Sequence, residues 1–427
     1  MLQTLRNAWK IGDLRKKILW TLFIILLYRF GATIPVPFVS GDTLNLIMSQ
    51  DQGSIFQYLN ILSGEAFSKA TLFALGIQPY ITSSIVMQLL TVAIPALEKM
   101  QKQEDGKKKI TQITRYVTVG LGLIMAYGYY MYMRSNKVLI DESLFAAIVM
   151  IACYSAGTAL IMWLGEKINE SGIGNGISII LFANIVSSGV TMATVILNYL
   201  TSGISGIIIA VVIVVVALAI VTFVVFITNS ERRLPVQYAK KVVGRKMYGG
   251  QSTNLPIKLN MSGVMPIIFA NSIVSIPSTI ALMFPTPAEG SFWYNLQHFF
   301  SFQSWFYAAL FFVLIIAFAY FYIAISFNPV EVSNNLKKNG GFIPGIRPGK
   351  PTSDYITKVL GRITLIGALF LGFVAVFPLV VNMASGSRLG SIAFGGSSLL
   401  IVIGVVLETS RELEAQMTMR HYKGFLE

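Results

Sequence analysis

Ten long apolar segments restrict what this chain can fold into. A helix needs about 20 predominantly apolar residues to cross the hydrocarbon core of a membrane. Of the 427 residues, 54% are hydrophobic and only 12% are charged, whereas soluble domains carry about 25% charged residues. The sequence therefore excludes an ordinary soluble enzyme and predicts an all-α polytopic membrane protein. The ten predicted transmembrane helices are 18–36, 70–93, 113–133, 143–164, 176–197, 204–228, 263–284, 305–327, 358–382 and 395–411.

Residues that hold metals and cofactors are scarce. The single cysteine, Cys153, lies in an apolar run, and the only histidines are His298 and His421. The sequence has no CxxC pair, Cys/His cluster or HExxH motif, so neither structural zinc nor haem is expected. A P-loop of the form Gly-x4-Gly-Lys-Ser/Thr is also absent. We therefore expect no enzyme activity, and any work must draw on a partner or on the membrane potential.

Lys and Arg residues are distributed unevenly between alternate loops. With the N-terminus in the cytoplasm, the loops and tails on that side hold 28 of them and the opposite loops hold four. Cytoplasmic loops of membrane proteins carry an excess of Lys and Arg. We therefore expect both termini in the cytoplasm, and the net charge of +14 fits a membrane surface better than nucleic acid.

Ten helices divide naturally into two sets of five. Gly76 and Gly263 each precede a proline by three residues, in corresponding helices of the two sets. An odd number of spans in each half makes such repeats inverted, although so short a match also arises by chance. The predicted domains are an N-terminal half at 1–200 and a C-terminal half at 201–427, the latter with cytoplasmic loops 229–260 and 328–357 and a cytoplasmic tail at 412–427.

Ionised residues are almost absent from the predicted spans. Arg29 is the clear exception, and its long side chain is expected to snorkel to the outer membrane interface. Ion-coupled transporters and proton pumps place ionisable groups near mid-membrane sites. Their absence argues against an ion-coupled small-solute secondary transporter. That function stays the alternative, because sodium sites are also built from carbonyls and hydroxyls.

Uncharged polar residues are instead grouped in three of the helices. They lie at 82–88, around Asn175 and at 271–275. One interpretation is that they join helices by hydrogen bonds, each worth about 0.6–2 kcal/mol. The other is that they line a seam that opens. The two interpretations are compatible, because hydrogen bonds of this modest strength can break when the helices separate.

Residues 54–64 form a short apolar segment that is compatible with a helix and ends at Gly64. It is too short to span a membrane, which takes about 20 residues. The segment is therefore either a re-entrant helix, which needs protein or a water-filled cavity around it, or an interfacial helix on the lipid surface.

Two cytoplasmic loops are long and basic. In loop 229–260, strands are predicted at 232–239 and 255–259, with a turn at Gly249-Gly250. Loop 328–357 is rich in Gly and Pro, and it is predicted as a series of turns that displays Arg347 on a short tip. Membrane topology and anionic lipid explain most of the charge. A large cytoplasmic partner would explain the length.

Several long motifs together carry a family resemblance. They are Ile34-Pro-Val-Pro37, Ala74-Leu-Gly-Ile-Gln-Pro-Tyr-Ile-Thr82, Trp163-Leu-Gly-Glu166, Gly172-Ile-Gly-Asn-Gly-Ile-Ser178, Gly263-Val-Met-Pro266, Asn335-Leu-Lys-Lys-x-Gly-Gly-x-Ile-Pro-Gly-Ile-Arg-Pro-Gly349 and Arg420-His-Tyr-x-Gly-Phe425. Over nearly its whole length the chain resembles the SecY family, the channel-forming subunits of the bacterial Sec protein translocon.

The resemblance implies two inverted five-helix halves around an hourglass pore. A ring of six aliphatic side chains would close its waist, and a short plug helix at about 53–65 would lie under the ring. The ring residues by motif are Ile77, Ile81, Ile177, Leu181, Ile268 and Ile401. The plug residues are Ile55, Phe56, Tyr58, Leu59, Leu62 and Gly64.

The resemblance also implies a lateral gate, between helices two and three on one side and seven and eight on the other, and a docking surface on the cytoplasmic loops. The gate and its polar cluster comprise Thr82, Gln88, Asn175, Asn271, Ser272 and Ile276. The docking residues are Arg232, Arg233, Lys240, Lys241, Arg245, Lys246, Arg347 and Lys350.

The function implied by the resemblance is a protein-conducting channel of the bacterial plasma membrane. Such a channel translocates unfolded secretory polypeptides and releases transmembrane segments sideways into lipid. The implied partners are the small membrane subunits SecE and SecG, the SecA motor ATPase, the translating ribosome, signal peptides, nascent secretory or membrane proteins, and anionic lipid. No cofactor is implied.

Overall fold

Helices make up most of the computed structural model of this chain. The structure describes residues 2–50, 55–103, 105–201, 203–238, 241–243, 246–248, 252–281, 291, 299–301, 304–384 and 395–423. The helices are α1 (Leu2–Lys10), α2 (Gly12–Gly31), α3 (Gly41–Gln50), α4 (Ile55–Ser63), α5 (Gln78–Ala93), α6 (Pro95–Gln101), α7 (Gly106–Ser135), α8 (Leu144–Ser171), α9 (Gly176–Thr201), α10 (Ile204–Asn229), α11 (Met265–Ala281), α12 (Trp305–Ser326), α13 (Pro329–Lys338), α14 (Lys350–Ala384) and α15 (Gly395–Lys423). The strands are β1 (Glu231–Tyr238), β2 (Lys241–Val243), β3 (Lys246–Tyr248), β4 (Ser252–Lys258) and β5 (Gly341–Phe342).

Each predicted transmembrane segment coincides with one of these helices. In the described part of the chain, four stretches of helix are long and apolar enough to cross a membrane, and the bent pair of α5 and α6 makes a fifth. The four are Leu144–Ser171, Gly206–Asn229, Trp305–Lys338 and Lys350–Ala384, and shorter apolar stretches are Gly176–Val190 and Met265–Pro277. The number of ten spans stays a prediction, whereas a predominantly helical membrane-channel fold is confirmed.

A sharp bend separates α5 from α6. The direction of the chain bends by 104° from α5 to α6. Between the two helices, Ile94 has an extended backbone with φ −107° and ψ 111°. Pro95 causes the break, because a proline disfavours helical geometry in the residue before it and lacks the amide that would continue the helix.

The largest buried cluster joins helices from both predicted halves. It contains Tyr28 of α2 and Ile81 of α5 together with Ile268 of α11 and Phe311 of α12. Because side chains from the two halves pack in one continuous core, any separation of the halves must pull these apolar contacts apart.

The two long basic loops fold together into one unit, which we call the β-lobe and define as β1, β4, β5 and α13. Its three strands are antiparallel in the order β4-β1-β5, and Gln237 of one loop pairs with Phe342 of the other. Leu234 and Val236 point inward from β1 and pack in a cluster with Ile356 of α14. Both loops are thereby anchored on one long helix.

The β-lobe confirms part of the loop prediction and corrects the rest. Strands at the two predicted places are confirmed, but a further hairpin of β2 and β3 lies between them, and the predicted turn at Gly249-Gly250 lies outside the described residues. The prediction of turns alone for 328–357 is wrong at both ends, because it overlooks α13 and the first turns of α14. The side chain of Asn328 caps α13 by accepting hydrogen bonds from the amides of Val330 (3.2 Å) and Glu331 (3.3 Å).

Gly157 lets α8 approach the segment that precedes α5. A Cβ atom at this position would overlap the carbonyl oxygen of Leu72. Close-packed interiors tolerate little added volume, and overpacking costs about 1–3 kcal/mol. We therefore expect Gly157→Ala to lower the melting temperature of the detergent-solubilised chain, measured by circular dichroism at 222 nm.

Gly120→Ala in α7 is the matched control, because a Cβ there meets nothing within 4 Å. Removing a mid-helix glycine favours the helix by up to about 1 kcal/mol, so this variant should melt at the same temperature or higher. Equal losses in the two variants would contradict the packing assigned to Gly157.

Candidate functional site

We use the name aliphatic cluster for six side chains that share the central core of the helix bundle. They are Ile77, Ile81, Ile177, Leu181, Ile268 and Ile401, and all six belong to or pack against the central core. Five are at most 6% exposed, and Ile177 is half-buried. They come from the start of α5 and from α9, α11 and α15, which are two helices in each predicted half. All six residues predicted for the ring therefore lie in or against one core, and their arrangement as a ring stays a prediction.

Helix α4 packs inside the protein rather than on its surface. It contacts α9, and Leu62 belongs to the same core as the aliphatic cluster. The predicted end of the helix is confirmed, since α4 stops at Ser63 and Gly64 adopts the left-handed conformation with φ 64°. This packing favours the re-entrant interpretation over an interfacial helix.

The space between α4 and the aliphatic cluster is almost filled. Leu59 and Leu62 of α4 line a cavity of about 20 Å³ together with Ile77 and Leu181. A cavity needs roughly 10–15 Å³ to hold a single water molecule. The cavity therefore has room for about one water molecule. The side chains of Ile55, Phe56 and Tyr58 lie outside the described part of the structure.

The contact between α5 and α11 is a seam between the predicted halves. The side-chain amide of Gln78 donates hydrogen bonds to the hydroxyls of Ser272 (3.4 Å) and Ser275 (3.3 Å). Both hydroxyls also donate within α11, Ser272 to the carbonyl of Ile268 (2.9 Å) and Ser275 to that of Ser272 (2.9 Å). The bonds across the seam are longer than the usual 2.7–3.2 Å or so. The seam is therefore polar, buried and only weakly bonded.

The sequence prediction missed Gln78, whose side chain bridges the seam. It lies one helical turn before Thr82 and so on the same face of α5, and a buried polar residue in an apolar span was the available signal. The predicted gate residues Thr82, Asn271 and Ile276 lie on the same two helices; Asn271 is buried and Ile276 is 38% exposed.

Gln88 and Asn175 each form hydrogen bonds to residues near them in the chain and not to each other, among the described residues. Gln88 donates to the hydroxyl of Ser84 in its own helix (3.4 Å). The side chain of Asn175 accepts hydrogen bonds from the amides of Ile177 (3.1 Å) and Ser178 (3.4 Å), which caps α9. Among the hydrogen bonds of the described residues, none joins Gln88 to Asn175.

Arg29 bonds to two groups inside the protein, and its expected snorkelling to the outer membrane interface stays a prediction. Its guanidinium donates a hydrogen bond to the carbonyl of Gly64 (3.5 Å) and another to the hydroxyl of Ser187 in α9. The half-buried side chain thus points toward the end of α4.

The predicted docking residues are exposed wherever the structure describes their side chains. Two of them, Arg232 and Arg233, lie on β1 of the β-lobe, and Arg233 also donates to Glu231 (2.8 Å). The loop between β5 and α14 carries Arg347, and Lys350 is the first residue of α14. Lys241 and Lys246 lie in β2 and β3 but their side chains are not described, and Lys240 and Arg245 lie outside the described residues.

A second cavity opens beside the β-lobe. It has a volume of about 290 Å³ and is lined by Lys258, Gly263, Glu408 and Arg411 among others. Arg411 is held by the carbonyl of Thr228 (3.0 Å) and the side chain of Asn229 (2.9 Å). Desolvation and the neighbouring Arg411 lower the pKa of Lys258.

Comparisons with solved structures identify the fold. The chain matches "The structure of a protein conducting channel" with a TM-score of 0.67 and 17% identity, over 94% of this chain and 92% of the other. It also matches Sec61 in the canine ribosome-channel complex from the endoplasmic reticulum, with a TM-score of 0.63 and 16% identity over the same shares.

Comparisons of sequence identify the family. The family model for SecY matches residues 71–410. The chain is 42% identical to the protein translocase subunit SecY of Streptomyces scabiei and 40% identical to that of Mycobacterium tuberculosis H37Rv, in each case over the whole of both chains. With matches of this length and identity, the chain belongs to the SecY family.

Proposed function

We propose that this chain is the channel-forming subunit of a protein translocase. It passes unfolded secretory polypeptides across the bacterial plasma membrane and releases transmembrane segments sideways into lipid. The observation that carries the proposal is the aliphatic cluster, to which four helices from both halves contribute buried or half-buried aliphatic side chains within one core. The full-length identity to protein translocase subunits supports it.

The chemistry of the aliphatic cluster suits a channel for polypeptides of any sequence. A narrow apolar constriction expels water and so blocks ions. The same side chains offer no hydrogen bonds or charges, so a polypeptide slides past without binding to a particular site. In the closed state α4 lies against this constriction as a plug, and it must leave before a chain enters.

The seam between α5 and α11 is the lateral gate of the proposed channel. A hydrophobic signal sequence that inserts there exchanges the long hydrogen bonds of Gln78 for apolar burial. Burial of apolar area is favourable by about 25 cal/mol per Å², whereas each neutral hydrogen bond contributes about 1 kcal/mol. Insertion of one helix face therefore outweighs the loss of the seam's polar contacts.

In this proposal, the energy for translocation comes from outside the chain, and the chain works with partner proteins. SecE and SecG are its membrane partners, and SecA or a translating ribosome binds the β-lobe from the cytoplasm, where both termini lie. The canine Sec61 channel and the yeast Ssh1 complex, which share the fold, were each bound to a ribosome. Anionic lipid adds attraction for the basic loops. Residues 1–200 and 201–427 act as the two moving halves.

The alternative of an ion-coupled small-solute transporter has no support in the family or in the structural neighbours. In the described residues, no group of three or more His, Cys, Asp or Glu is placed to hold a metal ion. The translocase proposal accounts for the long basic loops and the short internal helix, which a solute transporter leaves unexplained.

Polar substitution in the aliphatic cluster tests the proposed pore. We expect Ile81→Asn and Ile268→Asn to wet the constriction, and so to raise the ion conductance of the chain in planar bilayers and relax its requirement for a hydrophobic signal sequence. Ile280→Asn is the matched control, because Ile280 is on the same helix as Ile268 but is 50% exposed. Unchanged conductance and stringency in both cluster variants would refute the pore.

Gln78→Leu tests the seam. Losing its two hydrogen bonds should lower the signal-peptide concentration needed for half-maximal channel opening by roughly threefold to tenfold. Gln88→Leu should leave that concentration unchanged, because Gln88 bonds only within its own helix among the described residues. If the two variants shift the titration equally, the seam does not depend on Gln78.

Charge reversal on the exposed loop residues tests the docking surface. The double variant Arg347→Glu and Lys350→Glu should weaken co-sedimentation with ribosomes and reduce its dependence on salt, because fewer phosphate contacts release fewer counterions. Lys137→Glu, an exposed residue on the predicted opposite face, should bind as the parent does. Equal weakening by the control would assign the effect to net charge alone.

A further inference from the structure

The C-terminal end of α4 is held by side chains from two other helices. The side-chain amide of Asn184 in α9 donates to the carbonyl of Leu62 (2.7 Å), and the hydroxyl of Ser188 donates to the carbonyl of Ile61 (3.4 Å). The guanidinium of Arg29 in α2 reaches the carbonyl of Gly64 (3.5 Å). Three donors from outside the helix therefore converge on its last turn.

This end of α4 needs such donors. The last carbonyls of a helix have no partner within it, and the helix dipole leaves them with partial negative charge. Helix α4 has only nine residues and no basic residue in its last turn. Arg29 supplies the missing cation, and Asn184 and Ser188 supply neutral donors.

The donors are themselves fixed in place. Asn184 is completely buried and also donates to the hydroxyl of Tyr28 (2.8 Å). Arg29 also bonds to Ser187, and the single hydroxyl proton of Ser188 is shared between the carbonyls of Ile61 (3.4 Å) and Asn184 (3.3 Å). These groups do not need to be ordered when α4 docks, so little conformational entropy is lost on docking.

Gly64 makes the close approach possible. Its φ is 64°, and a Cβ there would lie 2.7 Å from a guanidinium nitrogen of Arg29 and 3.0 Å from the side-chain oxygen of Asn184. Only glycine adopts this backbone conformation at low cost and leaves room for both side chains.

The chain that follows α4 is tied to the same turn. The amide of Phe67 donates to the hydroxyl of Ser63 (3.0 Å), and the amide of Ser68 donates to the side chain of Asn60 (2.9 Å). The C-terminal end of α4 is therefore the fixed end of the segment, anchored both to α2 and α9 and to the loop that leads to α5.

We propose that Arg29, Asn184 and Ser188 form a polar latch, which holds the C-terminal end of α4 in the closed channel and sets how readily α4 leaves the aliphatic cluster. These are positioning residues, since they act on a passing polypeptide only through α4. The inference rests on the proposed function in one respect, namely that α4 closes the pore.

The test is single-channel recording of the full-length chain in planar bilayers. Asn184→Leu keeps the number and branching of the side-chain heavy atoms and removes the donor to Leu62, so the open fraction without substrate should rise roughly tenfold. Ser188→Ala and Arg29→Gln should give smaller rises in the same direction. Asn198→Leu is the matched control, because Asn198 is exposed on the same helix, and it should leave the channel closed. A closed channel in all three latch variants would overturn the latch.

Deletion of residues 55–63 separates a latch from general damage. The deletion should itself leak, and Asn184→Leu should then add nothing, because the latch has no helix left to hold. Additional leak in that background would overturn the latch in favour of a damaged pore. If the deletion leaks but the channels of the three latch variants stay closed, the latch alone is refuted. If the deletion does not leak, both the plug and the latch are refuted. If Asn184→Leu does not fold, Ser188→Ala and Arg29→Gln test the latch in its place, each with α4 present and with residues 55–63 deleted.

Discussion

Aliphatic packing at the centre of the bundle is the interaction on which the rest of this structure depends. The side chains of the aliphatic cluster come from four helices, two in each predicted half, and all of them lie in or against one core. Apolar contacts are non-directional and individually weak. They form a tight seal when the halves close, and they impose no particular geometry on a chain that replaces them.

The polar contacts around that core differ in strength according to what must move. Gln78 crosses the seam with bonds of 3.3–3.4 Å, whereas Asn184 grips the end of α4 with a bond of 2.7 Å from a completely buried position. Under the proposed function, long bonds at the seam let a signal sequence part it at small cost. The short bond of Asn184 is the strong part of the hold on α4, because Arg29 and Ser188 reach that end at 3.5 Å and 3.4 Å.

Much of this arrangement could be predicted from the sequence, because hydropathy and glycine placement are local signals. The apolar segments, the end of α4 at Gly64, and the strands at 231–238 and 252–258 follow from such signals. The polar contacts did not follow, because periodicity gives the face of a side chain and not its partner on another helix. Gln78 rather than Gln88 bridges the seam, Arg29 turns inward to Gly64, and α13 forms in a loop whose glycines and prolines suggested only turns.

The path of a translocating polypeptide tests the central claim most directly. A secretory polypeptide arrested midway, with one photoreactive residue at the membrane centre, would be cross-linked to the assembled channel and the attached peptides identified by mass spectrometry. If the aliphatic cluster lines the path, the cross-links fall on peptides from both halves that contain Ile81, Leu181, Ile268 and Ile401. Cross-links confined to one half, or to lipid-exposed positions such as those of α10, would contradict a pore at the centre of the bundle.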